Sequence, residues 1–146
     1  MTFSGGRRGP QTMPDEFEVA IDIAVPPRVA WDVIRDPSAI TRWYPIYVRS
    51  HPARDMRILE RLDGALIQER FLAKDEAAMT LLTTVLSGLP YAEYGCEWRV
   101  TPAGDGCRVT WRTRAVPDDP SIAVDDWLER EHVAALEGLK ALLEAA

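Results

Sequence analysis

The segment YAEYGCEWRVTPAGDGCRVTWRTRAV, residues 91–116, sets the fold. Ala92, Tyr94, Cys96, Trp98 and Val100 fall on alternate positions, and Val109, Trp111 and Thr113 do the same after the Gly104-Asp105-Gly106 turn. Period-2 alternation on both sides of a glycine-rich turn predicts an antiparallel hairpin of two strands, 91–101 and 107–116. Partners across that turn should have numbers adding to about 207 to 209, which sets Cys96 opposite Trp111 or its neighbour. Cys107 then lies several residues away along the ladder. A disulfide needs Cα atoms within ~7 Å, so both cysteines are expected to be free, buried thiols.

Working outward, further strands are expected at 77–86, 65–73, 56–62 and 46–51, separated by Ser87-Gly88-Leu89-Pro90, Lys74-Asp75-Glu76 and the hairpin signal Asp63-Gly64. Strands joined by short turns make an antiparallel meander. Upstream, Phe17, Val19, Ile21, Ile23 and Val25 alternate with Glu16, Glu18 and Asp22 in a half-buried strand over 16–25. Pro26-Pro27 ends it, and Pro27 opens a short helix over 28–35. Asp36-Pro37-Ser38 breaks that helix and leads into a second short one, which Pro45 stops after Trp43. Downstream, 121–144 is expected to be helical, with Leu128, His132, Ala135, Leu139 and Leu142 on the stripe that faces the sheet. Asp118, Asp119, Asp125 and Asp126 crowd its start, where carboxylates favour the positive end of the helix dipole.

The class is therefore α+β, a curved antiparallel sheet of six to seven strands around one long C-terminal helix. Such a sheet is on the order of 30 Å wide at ~4.8 Å per strand, while one helix is only ~10 Å across. The uncovered part of the concave face is a natural site for a small, largely apolar ligand.

The 146 residues fit one domain over 15–146, preceded by a Gly, Arg and Pro-rich tail over 1–14. A net charge of −6 argues against nucleic acid, whose phosphates call for clustered Lys and Arg. The sequence shows neither the apolar core of a signal peptide nor a run approaching ~20 apolar residues, so a cytoplasmic protein without a membrane span is expected, as monomer or homodimer. Two His and two Cys at these spacings make no plausible zinc site. No dinucleotide, P-loop or Gly-x-Ser-x-Gly pattern is present, and no cofactor is expected.

Val25-Pro26-Pro27 through Trp31, Ile40-Thr41-Arg42-Trp43-Tyr44-Pro45, Asp63-Gly64 with Gln68-Glu69-Arg70-Phe71-Leu72, and Arg108-Val109-Thr110-Trp111 together resemble the START-like SRPBCC superfamily. Within it the chain is similar to bacterial polyketide cyclase/dehydrase-type proteins over about residues 16 to 145. The resemblance implies a helix-grip fold, a sheet gripping the C-terminal helix over a ligand cavity. It does not imply one reaction, because the superfamily includes aromatase/cyclases, hormone receptors, lipid carriers and co-chaperones. Plant abscisic-acid receptors carry a Glu-Arg-Leu strand and a following Tyr that face the cavity. Glu69-Arg70-Phe71 and Tyr94 fall at similar places.

Strand parity points to the same residues. In 65–73, Ile67, Glu69, Phe71 and Ala73 share one face, and if Ile67 and Phe71 point inward so does Glu69. The opposite parity, with Leu66, Gln68, Arg70 and Leu72 inside, stays open. Glu69, Tyr94 and His132 are the candidate catalytic residues: a partly desolvated carboxylate, a hydrogen-bonding phenol and an imidazole on the apolar stripe. Each also has a purely structural reading, and a one-residue change of helix phase would replace His132 with Glu131. Ile67, Phe71, Leu81, Thr83, Trp98, Trp111, Thr113 and Leu128 are expected to line the ligand site.

Three functions fit these readings. One is a cofactor-free cyclase, dehydratase or aromatase on a polyketide-like or other reactive carbonyl substrate. The second is a carrier or sensor of a small hydrophobic molecule. The third is an interaction protein, which a cavity too small for any ligand would mark.

Overall fold

The computed structural model describes residues 15–119, 121 and 125–145; the expected tail over 1–14 and the first turn of the expected C-terminal helix, 122–124, lie outside them. The elements are β1 (Asp15–Ile23), α1 (Pro27–Ile34), a 3-10 turn (Ala39–Arg42), β2 (Tyr47–Ala53), β3 (Met56–Arg61), β4 (Leu66–Asp75), β5 (Thr80–Ser87), β6 (Tyr91–Ala103), β7 (Gly106–Pro117) and α2 (Asp125–Glu144). All seven strands form one antiparallel sheet in the order β1-β7-β6-β5-β4-β3-β2. β2 to β7 are the expected meander, and β1 closes the order by pairing with β7.

Local chemistry sets each turn. Pro27 fixes φ at the start of α1, where its missing N–H is no loss. Asp36 Oδ1 accepts the Ser38 N–H at 2.9 Å and stops the helix. At the β3–β4 turn, Asp63 Oδ1 accepts the Ala65 N–H at 3.1 Å and Gly64 takes φ +90°, which a side chain resists. One strand runs further than its sequence suggested: β2 continues through Pro52, paired with Arg57, to a tight turn at Arg54-Asp55. Pro52 is tolerated because β2 is an edge strand, with no ladder on its other side.

The long hairpin lies at the upper end of the expected register range, which moves Cys96 past Trp111 and its neighbour to Thr113. Trp98 faces Trp111 and Cys96 faces Thr113, so paired numbers sum to 209. Both cysteines are free and buried. On the concave side, α2 buries Leu128, His132, Ala135, Leu136, Leu139 and Leu143, while Leu142 is only half-buried. Gly138 lets α2 approach the chain at Trp43, where a Cβ would stand 2.2 Å from the Trp43 carbonyl oxygen. Four rings then form a column across the face. His132 stacks on Trp111 at 3.7 Å between ring centroids, Trp111 stacks on Trp98 at 3.8 Å, and Trp43 meets Trp98 edge-on at 5.6 Å. These rings fill much of the hollow that the sheet's width alone implied.

Candidate functional site

Among the described residues, the hollow keeps two adjoining chambers. The outer one has a volume of about 170 Å³ and lies between the start of β2, the β3–β4 turn, the Gly88–Tyr91 segment and α2. The inner one, about 20 Å³, is walled by aromatic and aliphatic side chains around Arg57 and Glu69. Tyr47 and Tyr94 belong to the walls of both.

The inner chamber holds an ion pair. Parity in β4 is the first of the two alternatives: Ile67 and Glu69 are buried and Leu66, Gln68, Arg70 and Leu72 exposed, until a bulge between Phe71 and Ala73 shifts the register. Arg57 shares the inward face of β3 with Leu59. Its Nε donates to Glu69 Oε1 at 2.7 Å, and its Nη1 donates to the Pro37 carbonyl at 3.1 Å. Phe71 lies under the guanidinium, 5.1 Å from ring centroid to Cζ. Both charged side chains are over nine-tenths buried. Each alone would be costly in such a setting, and together they form a satisfied unit.

The tyrosine hydroxyls are held neutral. Burial raises the hydroxyls of Tyr44 and Tyr94 well above their ordinary pKa, with neighbouring phenols and, for Tyr94, the Cys96 thiol adding to it. Tyr47 moves the same way through burial and then the negative charge of Glu69. Tyr44 donates to Glu131 Oε1 at 2.8 Å, whereas the Tyr47 hydroxyl makes no hydrogen bond among the described residues. Glu131 lines the outer chamber with Leu128, Arg61 and Asp63.

Helix phase resolves in favour of His132 facing the sheet, fully buried. It does not line either chamber. Nε2 is 2.9 Å from Thr113 Oγ1 and 3.3 Å from the Tyr94 hydroxyl, and Nδ1 has no partner among the described residues. Burial lowers its pKa to about 3, so at neutral pH the ring is an uncharged spacer holding Tyr94 and Thr113.

Of the sequence candidates, Glu69, Tyr94, Ile67, Trp98, Trp111 and Leu128 line the chambers. Leu81, Thr83 and Thr113 are buried behind the walls, and half-buried Phe71 lies off them, under Arg57. Sequence reasoning missed Arg57, Tyr44 and Tyr47. Arg57 had a signal, because it alternates in step with the apolar Leu59. Among the described residues no group of three or more His, Cys, Asp or Glu is placed to hold a metal ion, and no helix is long and apolar enough to cross a membrane.

Residues 14–144 match the family model described as polyketide cyclase / dehydrase and lipid transport. The chain belongs to that family. An uncharacterised member of the curated proteins, from Mycobacterium tuberculosis, is 27% identical over 109 residues, covering 69% of this chain; the chain spans 65% of that relative's length. Among solved structures, the Zhui aromatase/cyclase of Streptomyces sp. R1128 superposes with a TM-score of 0.73 at 16% identity, covering 90% of this chain and 94% of its own. Norcoclaurine synthase from Thalictrum flavum, in complex with dopamine and hydroxybenzaldehyde, gives 0.72 at 14% identity, covering 99% and 97%. At these identities the likeness is one of fold: the helix-grip architecture of START-like proteins.

Proposed function

We propose that the protein holds a small, mostly apolar molecule in the paired chambers and acts on it, without cofactor, as a cyclase, dehydratase or aromatase of a reactive carbonyl substrate. The observation that carries this reading is the convergence on one apolar hollow of a buried carboxylate, Glu69, and two neutral phenols, Tyr47 and Tyr94. The family's description and the aromatase/cyclase with the same fold support it.

In this scheme Glu69 takes the proton from the carbon beside the ligand carbonyl, and Tyr94 donates a hydrogen bond to the oxygen on which negative charge develops. Returning that proton to a departing hydroxyl releases water and leaves a new double bond. Arg57 positions the carboxylate. His132 has a structural part, orienting Tyr94 through Nε2. With the true substrate, Glu69→Gln and Tyr94→Phe each lower turnover by about 10²- to 10⁴-fold, the usual weight of a placed acid–base group. Unchanged turnover in both variants would overturn these roles.

A carrier or sensor is the second reading, favoured by the engagement of Glu69 with Arg57 and by the family's lipid-transport members. Incubating the purified protein with a small-molecule extract and comparing released with free ligand by mass spectrometry and NMR separates the two. An isomerised or dehydrated ligand supports the enzyme, and an unchanged one the carrier.

A further inference from the structure

The dimensions of the outer chamber, together with its unpartnered polar groups, restrict what it can hold. Its volume is about 170 Å³. An apolar protein cavity of ~150 Å³ accommodates one benzene ring, whereas pockets for drug-sized molecules run from ~300 Å³ upward. The inner chamber adds about 20 Å³, room for roughly one water molecule. Enlarging either means moving packed aromatic rings: Tyr47 meets Tyr44 edge-on at 4.8 Å and Tyr94 lies tilted against Tyr91 at 5.2 Å between centroids.

The polar groups read the other half of the ligand. The Tyr47 hydroxyl has no partner among the described residues, is held neutral by burial, and belongs to the wall shared by both chambers. Glu131 accepts from Tyr44 through Oε1 and makes no hydrogen bond through Oε2 among the described residues. One unpartnered phenol donor and one free carboxylate oxygen therefore border a space of one ring, between the apolar side chains of Leu89 and Leu128, with the Arg61–Asp63 ion pair also on its wall.

We infer that the ligand is a monocyclic phenol, a single aromatic ring bearing a hydroxyl as well as the reactive carbonyl of the proposed reaction, and that fused polycyclic phenols are excluded. The ligand's phenol oxygen accepts a hydrogen bond from Tyr47, and its O–H donates one to Glu131 Oε2. This rests on the cavity being the ligand site, as proposed above, and narrows the substrate class of that site.

The test is an NMR titration of the full chain with toluene, p-cresol, 2-naphthol and 2-hydroxyanthracene, which separate ring count from the hydroxyl. Binding is expected for p-cresol, about 10- to 100-fold weaker for toluene, which forgoes both hydrogen bonds, and at least 10-fold weaker for the two fused phenols. Tyr47→Phe, with folding checked by thermal melting, should weaken p-cresol about 3- to 10-fold, the range of one net hydrogen bond, while leaving toluene unchanged. Binding of 2-hydroxyanthracene as tight as that of p-cresol overturns the size argument while leaving the cavity as a ligand site. Equal affinity for toluene and p-cresol in the unmutated protein overturns the polar recognition, and needs no variant to fold. Failure of all four probes to bind sinks the cavity reading itself.

Discussion

Acid should unfold this protein through one imidazole more than through any other single group with a resolved shift. His132 is fully buried, stacked on Trp111, and has its pKa lowered to about 3 by burial, against ~6.5 in the unfolded chain. Between those values the unfolded state binds a proton that the native state refuses. Stability therefore falls as pH is lowered from about 6.5, by ~1.36 kcal/mol per pH unit, until the native pKa is reached. At pH 4.5 this amounts to roughly 2.7 kcal/mol, a large share of the ~5–15 kcal/mol typical of a domain. The perturbation is His132→Phe, which keeps an aromatic ring against Trp111 and removes the titration. It leaves the Thr113 and Tyr94 hydroxyls without Nε2, so the variant should be less stable by about 1–3 kcal/mol at pH 7.5. Urea denaturation at pH 7.5 and 4.5 should then show the original protein losing about 2–3 kcal/mol more than the variant, so that the two curves converge in acid. The carboxylates common to both proteins cancel in this comparison. Equal losses, within about 0.5 kcal/mol, would refute the argument that His132 is held neutral by burial.

Two further outcomes follow from the packing. Gly138→Ala sets a Cβ 2.2 Å from the Trp43 carbonyl oxygen, so α2 has to shift; a loss of about 1–3 kcal/mol and changed near-ultraviolet circular dichroism of the tryptophans are expected, and a silent substitution would show that the helix does not sit so close. Glu69→Leu strands the buried Arg57 guanidinium and should cost about 3–5 kcal/mol, whereas the double variant with Arg57→Met should recover most of it; a double variant as unstable as the single one would mean that the pair is not isolated from water.

The strands were legible where chemistry is local. Between Tyr91 and Val116 alternate residues are mostly apolar or aromatic and the turn is glycine-rich, so the period followed from the sequence and the register to within two residues, emerging with Trp98 opposite Trp111. The extent of β2 was not legible, because Pro52 reads as a breaker unless the strand is known to be at the edge, and edge position is a property of the whole sheet order. Likewise the shift between Phe71 and Ala73 comes from a bulge, which no alternation of side chains announces. Parity in β4 and phase in α2 each had two solutions from sequence. Tertiary burial chose between them, placing Glu69 and His132 inside.

The site was half legible for a related reason. Comparing sheet width with helix width correctly predicts uncovered area, but the volume left depends on which side chains cover it. Trp98 and Trp111 face each other across one hairpin, and Trp43 joins them in one column from a distant segment, so the hollow shrinks to small chambers. The same convergence explains why Arg57 escaped notice. In sequence it is one of seventeen basic residues, inseparable from the arginines that pair with Asp22, Glu18 and Glu93 on the solvent side. Only in the folded sheet does it meet Glu69 away from water. An Arg and a Glu on adjacent strands at the surface would be worth ~0–1 kcal/mol. Buried beside a chamber, the same two residues fix a carboxylate oxygen in place and leave Tyr47 free to meet a ligand, so the chemistry open to this chain depends on which of its many ion pairs faces inward.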